Sequence, residues 1–149
     1  MPFPKRIRLD PSDYERCDQA FHVTLRSMPG TAPFSGELGA AVWQLILNER
    51  ERSAIELVAA CLMPDHLHAI VKPADRSIVL WLNGFKSFST RAAWQHGHAT
   101  ALWQPGFHDT RIRDEQQFEA ALSYIRRNPM AGGFVNDESE WPWMWWRGA

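Results

Sequence analysis

Two pairs of residues carry chemistry by their type and spacing. His66 and His68 stand two apart in the run HLHAIVK. Side chains alternate across a strand, so an extended segment turns both imidazoles to one face with Ile70 and Lys72, and turns Leu67, Ala69 and Val71 to the other. Two imidazoles so placed can chelate one metal ion. They can also be polar residues on a wet sheet face, which for an isolated pair is the commoner case. Tyr124 and Asn128 stand four apart, so on a helix they share a stripe, with Gln117 on the same side. The amide oxygen of Asn128 could complete a facial set with His66 and His68, leaving open positions for phosphate oxygens and water. A divalent ion in such a set polarises a phosphodiester. A phenol ionises more easily than an aliphatic alcohol, with an unperturbed pKa of about 10. Beside such an ion, Tyr124 can attack phosphorus in line and release a 3′-hydroxyl. A phosphotyrosine bond would retain the energy to rejoin the strand without a nucleotide cofactor. Taken alone, Tyr124 reads more simply as a buried helix tyrosine with a satisfied hydroxyl. The other tyrosine, Tyr14, lies in a Pro- and Asp-flanked N-terminal segment, a poorer place for precise positioning.

These residues need elements to hold them. Residues 19–27, QAFHVTLRS, alternate apolar and polar and read as a strand. MPGTAPFSG is a loop by its Pro and Gly content. Residues 37–51 place Leu38, Ala41, Val42, Leu45 and Ile46 at helical spacing. Residues 55–63 and 66–72 are strands joined by a short turn at Pro64–Asp65, hence an antiparallel hairpin. A helix covers 77–96, with Gly84 a weak point. Residues 101–113 form a broken extended segment, a fourth strand interrupted near Pro105–Gly106. Asp114 is an N-cap with Gln117 three residues on. The helix it opens runs to about Asn128, where Pro129 discourages continuation. Gly132 and Gly133 should loosen the chain beyond it. The tail is a loop followed by an aromatic cluster.

The order is β-α-β-β-α-β with an appended helix. The expected fold class is α+β: a ferredoxin-like antiparallel sheet with helices packed on one face and an added C-terminal helix bearing Tyr124. The other face is expected free to hold a site.

Bulk properties narrow the function. A chain of 149 residues favours one domain. No stretch reaches the apolar length of a membrane helix, and the basic N-terminus lacks the apolar run of a signal peptide. Cys17 and Cys61 lie far apart without metal or redox spacing, which suits thiols in a cytoplasmic protein. A formal net charge of −1 counts against general nucleic-acid coating. It allows local basic patches: Lys5, Arg6 and Arg8 at one end, Arg111, Arg113, Arg126 and Arg127 at the other.

Four ordered blocks then resemble a known family. CLMPDHLHAIV at 61–71 resembles the histidine–hydrophobic–histidine motif of the IS200/IS605-like single-tyrosine (HUH) transposases. SYIRRNPMAGGFV at 123–135 resembles their tyrosine helix, in particular that of the REP-associated tyrosine transposases. GFKSFSTR at 84–91 and LWQPGFHDTRIR at 102–113 match that branch in character and order. The likeness runs from about Phe21 to Trp143. It implies one IS200-like domain over 1–149, with 1–18 and 136–149 as terminal extensions. It implies His66, His68 and Asn128 as ligands of Mg²⁺ or Mn²⁺, and Tyr124 as nucleophile. The implied substrate is single-stranded DNA carrying hairpins, cut to leave a 5′-phosphotyrosine in transposition or repeat processing, by a monomer or a homodimer.

Lys86, Arg91, Arg126 and Arg127 are candidates for phosphate contact, and Gln104 for a base edge. Each has a plainer alternative: a solvated face for Lys86 and Arg91, and stabilisation of the helix C-terminus for the arginine pair. His108, with Asp109, is a possible accessory residue or part of a loop. Trp141, Trp143, Trp145 and Trp146 could stack on bases, though packing over the core is the simpler use. Two other functions compete. One is a nucleic-acid-binding ferredoxin-like module without catalysis, which would favour paired aromatics on the sheet face. The other is a hydrolase that uses the same histidines and water.

Overall fold

The structure, a computed structural model, describes residues 19–148. Tyr14, Cys17, Lys5, Arg6 and Arg8 lie outside the described residues. Five strands and three helices follow in the order β1 (Ala20–Arg26), α1 (Gly36–Asn48), β2 (Ile55–Met63), β3 (His66–Pro73), α2 (Ile78–Gln95), β4 (His108–Ile112), α3 (Glu115–Ala131) and β5 (Met144–Trp146). All strand pairs are antiparallel, and the sheet order is β4-β1-β3-β2-β5. The first four strands give the ferredoxin-like arrangement, with β5 added outside β2. Among the described residues no helix is long and apolar enough to cross a membrane.

Period-two alternation assigns the two faces. Phe21, Val23 and Leu25 of β1, with Leu67, Ala69 and Val71 of β3, enter a core with Val42, Trp43 and Ile46 of α1 and Trp81, Leu82 and Phe85 of α2. Ile70 of β3 turns the other way and packs with Ala20, Cys61, Met63 and Ile125 of α3. The second face is therefore not open, as the sequence reading expected. Helix α3 covers it, because Phe118, Ala121, Leu122 and Ile125 form an apolar stripe that needs a partner. In β2 the register shifts between Leu57 and Ala59. The bulge lets Val58 and Ala59 both serve the α3 side before alternation resumes. Cys61 is a free thiol on that side, and burial pushes its pKa up to about 12.

The ends of α3 are tightly specified. The Asp114 carboxylate accepts from the Gln117 backbone N–H at 2.8 Å, and the Gln117 side-chain oxygen accepts from the Arg113 N–H at 2.7 Å. Pro129 does not stop the helix, which runs on to Ala131. A proline forfeits the bond its own N–H would have made, a tolerable loss this close to the end. Nor do the glycines loosen the chain. Phe134 N–H donates to Pro129 O and Gly133 N–H to Met130 O, both at 3.0 Å, which is the Schellman pattern. Gly133 takes the left-handed conformation this requires, at φ 79°.

The tail, expected as loop and aromatic cluster, contains β5. Its pairing sends Trp145 to the α1–α2 core and Trp146 to the α3 core. Trp143 packs on the first core and Trp141 on the second, so packing, not display, is the use of all four indoles.

Candidate active site

The β2–β3 hairpin brings the imidazoles into place. Its tip is pinned from outside, where Ser27 N–H donates to Asp65 O and Phe34 N–H to Pro64 O, each at 3.0 Å. His66 and His68 open β3 and face α3, as alternation requires. Their rings lie 4.8 Å apart, edge to face. From the helix, Asn128 Oδ1 reaches to 3.1 Å from His66 Nε2. One turn earlier, the Tyr124 ring stands edge-on to the His68 ring at 5.5 Å. The four residues singled out by spacing thus meet within one chain. Tyr124 is 56 % exposed, so the plainer alternative of a buried helix tyrosine does not hold.

Each imidazole is held at the nitrogen that faces away from the centre. His66 Nδ1 lies 2.7 Å from the Asp65 carboxylate. His68 Nδ1 lies 3.0 Å from both His22 Nε2 and Thr24 Oγ1. His22 and Thr24 come from β1, where Thr24 sits across from His68 and Arg26 across from His66. Burial holds His68 well below the usual histidine range, with lesser contributions from the charges of His22, His66, Arg26 and His108. Burial, then the His108 charge, lowers His22 to about 4. Both are therefore neutral near pH 7, the state in which an imidazole can ligate a metal.

Do these residues fit a divalent ion? A neutral His66 that donates Nδ1–H to Asp65 presents a lone pair at Nε2 to the Asn128 oxygen. Two such acceptors 3.1 Å apart need a proton or a cation between them. Adjacent ligands of an octahedral Mg²⁺, with bonds of 2.0–2.1 Å, lie about 3 Å apart. Among the described residues no group of three or more His, Cys, Asp or Glu side chains could hold a metal, so the amide is the third donor within reach. The donor set of two imidazoles and an amide oxygen fits, with Asp65 in the orienting position behind one ring.

The remaining candidates separate. His108 lies on β4, not in a loop, across from Thr24 on the site face. Burial and then Arg26 depress its pKa. Lys86, Arg91 and Gln104 line a groove with Thr90 and Trp94, none of whose lining residues is His66, His68, Tyr124 or Asn128. The Lys86 ammonium donates to Gln104 O and Gly106 O, tying that loop to α2, while the Gln104 amide donates to Ser27 O at 2.9 Å. Arg126 binds Glu138 at 3.0 Å and lies over the Trp146 ring, which fixes the tail against α3. Arg127 is exposed. Because α3 continues to Ala131, neither arginine lies in its last turn. A second groove of about 530 Å³ starts at His22 and runs between β4 and α3 past Thr110, Arg111, Arg113 and Gln117.

Sequence reading did not pick out His22, Thr24 and Arg26. Their signal was present: three polar residues two apart on β1 share the face opposite Phe21, Val23 and Leu25. What alternation could not supply was the register that sets them beside His66 and His68.

The family described as "Transposase IS200 like" matches residues 17–128. A REP-associated tyrosine transposase of Escherichia coli is 30 % identical over 105 residues, which cover 65 % of this chain and 58 % of that protein. A Haemophilus influenzae protein named for the same group is 28 % identical over 105 residues, covering 62 % of this chain and 60 % of its own. The matches thus span about three fifths of those relatives' length. A solved REP-associated tyrosine transposase bound to a REP hairpin superposes with a TM-score of 0.72 at 19 % identity, covering 97 % of this chain and 82 % of that one. A transposase structure from Deinococcus radiodurans gives 0.53 at 18 % identity, covering 72 % and 88 %. At those identities the superpositions speak for the shared fold, whereas the family match covers most of the sequence, and by it the chain belongs to the IS200-like transposases.

Proposed function

We propose that the protein is a metal-dependent single-strand DNA endonuclease and strand transferase that cuts with Tyr124. The observation that carries this reading is the approach of an exposed phenol to two oriented imidazoles, one buried and one half-buried, and an amide oxygen. His66, His68 and Asn128 would hold Mg²⁺ or Mn²⁺. Bound there, the ion would polarise the scissile phosphate and offset its developing charge.

The chain's own residues do the rest. The Tyr124 oxygen attacks phosphorus, the new bond to phosphorus forms, and the bond from phosphorus to the 3′ oxygen breaks. The phenol loses its proton, the leaving 3′ oxygen gains one, and the 5′ end stays on the enzyme as a phosphotyrosine. Reversal with another 3′-hydroxyl joins strands, with no net change in bond type. Asp65, His22 and Thr24 keep the imidazoles turned inward. Arg26, across from His66 on β1, and the exposed Arg127 of α3 would meet phosphate oxygens. The groove that starts at His22 and passes Arg111 and Arg113 would offer the strand a cationic exit from the site. The substrate class we infer is single-stranded DNA with a hairpin; the similar REP-associated structure is bound to a REP hairpin. The groove of Lys86, Arg91 and Gln104, with the exposed Trp94, is a second contact surface for it.

The test is incubation with hairpin-bearing single strands and Mn²⁺, followed by a denaturing gel. A covalent protein–DNA species that disappears in Tyr124→Phe is expected. Cleavage without an adduct in both proteins would instead make it a hydrolase that uses water. Tight binding without cleavage would make it a binding module.

A further inference from the structure

One nitrogen in the site is contacted twice. His68 Nδ1 lies 3.0 Å from His22 Nε2 and 3.0 Å from Thr24 Oγ1, and His68 is only 3 % exposed. We propose that His22 and Thr24 are positioning residues that hold the His68 ring with Nε2 toward the metal and accept its Nδ1–H when a cation binds there, and that His22 also neighbours the nucleophile. The proposal rests on the reading of His66, His68 and Asn128 as the metal-holding set.

A neutral imidazole carries one proton on two nitrogens. With the proton on Nδ1, His68 donates to the Thr24 hydroxyl oxygen or the His22 Nε2 lone pair, and its own Nε2 is free to ligate. With the proton on Nε2, the Thr24 hydroxyl and a His22 Nε2–H donate to Nδ1, and ligation is blocked. Both partners can donate or accept. They therefore give His68 Nδ1 a partner in either form and let a cation select the ligating one. The proton count is unchanged: one proton moves from Nε2 to Nδ1 of His68, and His22 moves its own from Nε2 to Nδ1.

The strand register explains why two residues are needed. Thr24 is paired with His68 across the β1–β3 ladder, whereas His22 is two positions along on the same face. From there the His22 ring is 5.1 Å from the His68 ring and 6.0 Å from the Tyr124 ring. Thr24 thus touches the ligand alone, while the His22 ring stands beside both the ligand and the phenol, which also face each other at 5.5 Å.

The experiment uses the full chain and Mn²⁺ without DNA. Dissociation constants would be read by electron paramagnetic resonance for wild type, His22→Ala, Thr24→Val and His68→Ala, with His22→Gln and Thr24→Ser as variants that keep a hydrogen-bonding atom in place. His22→Ala and Thr24→Val are expected to weaken binding about 10–100-fold, with Gln and Ser close to wild type. Adduct formation at saturating Mn²⁺ should recover in Thr24→Val and stay slow in His22→Ala. Wild-type affinity in both His22→Ala and Thr24→Val overturns the proposal and leaves the site reading intact. No Mn²⁺ binding by wild type, or binding indifferent to His68→Ala, overturns both. Should a variant fail to fold, ring ¹⁵N shifts of His68 and His22 in wild type with Mg²⁺ decide: protons on Nδ1 of both rings support the proposal, and a proton kept on His22 Nε2 refutes it.

Discussion

His66 Nε2 and Asn128 Oδ1 lie 3.1 Å apart across 62 residues of sequence. A strand-borne imidazole and a helix-borne amide meet because Ile70 and Ile125 pack together in the core beneath α3. If the pair is one edge of a metal's coordination shell, Asn128→Ala removes a ligand and little else, since Asn128 is not in the buried core. Mn²⁺ affinity should fall by about tenfold or more, ~1.4 kcal/mol, with the thermal midpoint of the metal-free protein nearly unchanged. Calorimetric titration beside a thermal melt measures both. Undiminished affinity would remove Asn128 from the ligand set.

Two glycines, Gly84 inside a helix and Gly133 just past the end of one, should respond in opposite directions. A Cβ at Gly84, inside α2, would meet only the Arg76 guanidinium at 3.7 Å. Gly84→Ala should stabilise by about 0.5–1 kcal/mol, because alanine loses less backbone freedom on folding. Gly133 sits at φ 79° and closes α3, so Gly133→Ala should cost about 1–2 kcal/mol. Urea midpoints that move the same way in both variants would contradict this account of the helix end.

Gly39 marks a third kind of position. It lies on α1, and a Cβ there would clash with the Trp143 ring and sit 2.9 Å from the Phe34 backbone carbon. Trp143 O accepts from Leu62 N–H at 3.0 Å, so its ring is tied to the β2 edge. Gly39→Ala should push the indole outward, cost about 1–3 kcal/mol as overpacking does, and red-shift tryptophan emission. A melt and spectrum matching wild type would mean that the tail does not pack on α1.

Much of this arrangement was legible because two periods, 2 and 3.6, are local properties. HLHAIVK fixed which face carries His66 and His68, and the Phe118–Ile125 stripe fixed how Tyr124 leaves α3. The strand of residues 55–63 was read to its ends, since Pro64–Asp65 closes it. What escaped depends on pairing or on backbone handedness. The Val58 bulge compensates a register that only β3 defines. β5 is three residues long, too short to show alternation between Pro142 and Gly148. The Gly132–Gly133 pair looked like slack because glycine's freedom is visible in sequence, whereas the two hydrogen bonds that use it are not. His22 and Thr24 were visible as wet-face residues, but their role appears only once β1 is laid against β3.

Asp109 offers a stability test away from the metal ligands. It is across from Val23 on β4 and therefore shares the face that α1 and α2 cover. It is buried, and neither carboxylate oxygen has a hydrogen-bond partner among the described residues. Burial raises its pKa from 3.8 to about 7. In the unfolded chain it ionises near 3.9. Between roughly pH 4 and pH 7 the native state therefore binds the extra proton, and stability falls as pH rises through that window. Above it, the penalty of the buried charge is present in full; below it, the penalty is absent. Asp109→Asn keeps the shape and removes the charge. Its thermal midpoint should match wild type near pH 4 and exceed it at pH 8. Because the other titrating groups are common to both proteins, the difference between the two melting curves isolates this carboxyl. A difference that stays constant from pH 4 to pH 8 would mean that Asp109 is ionised and solvated in the native fold.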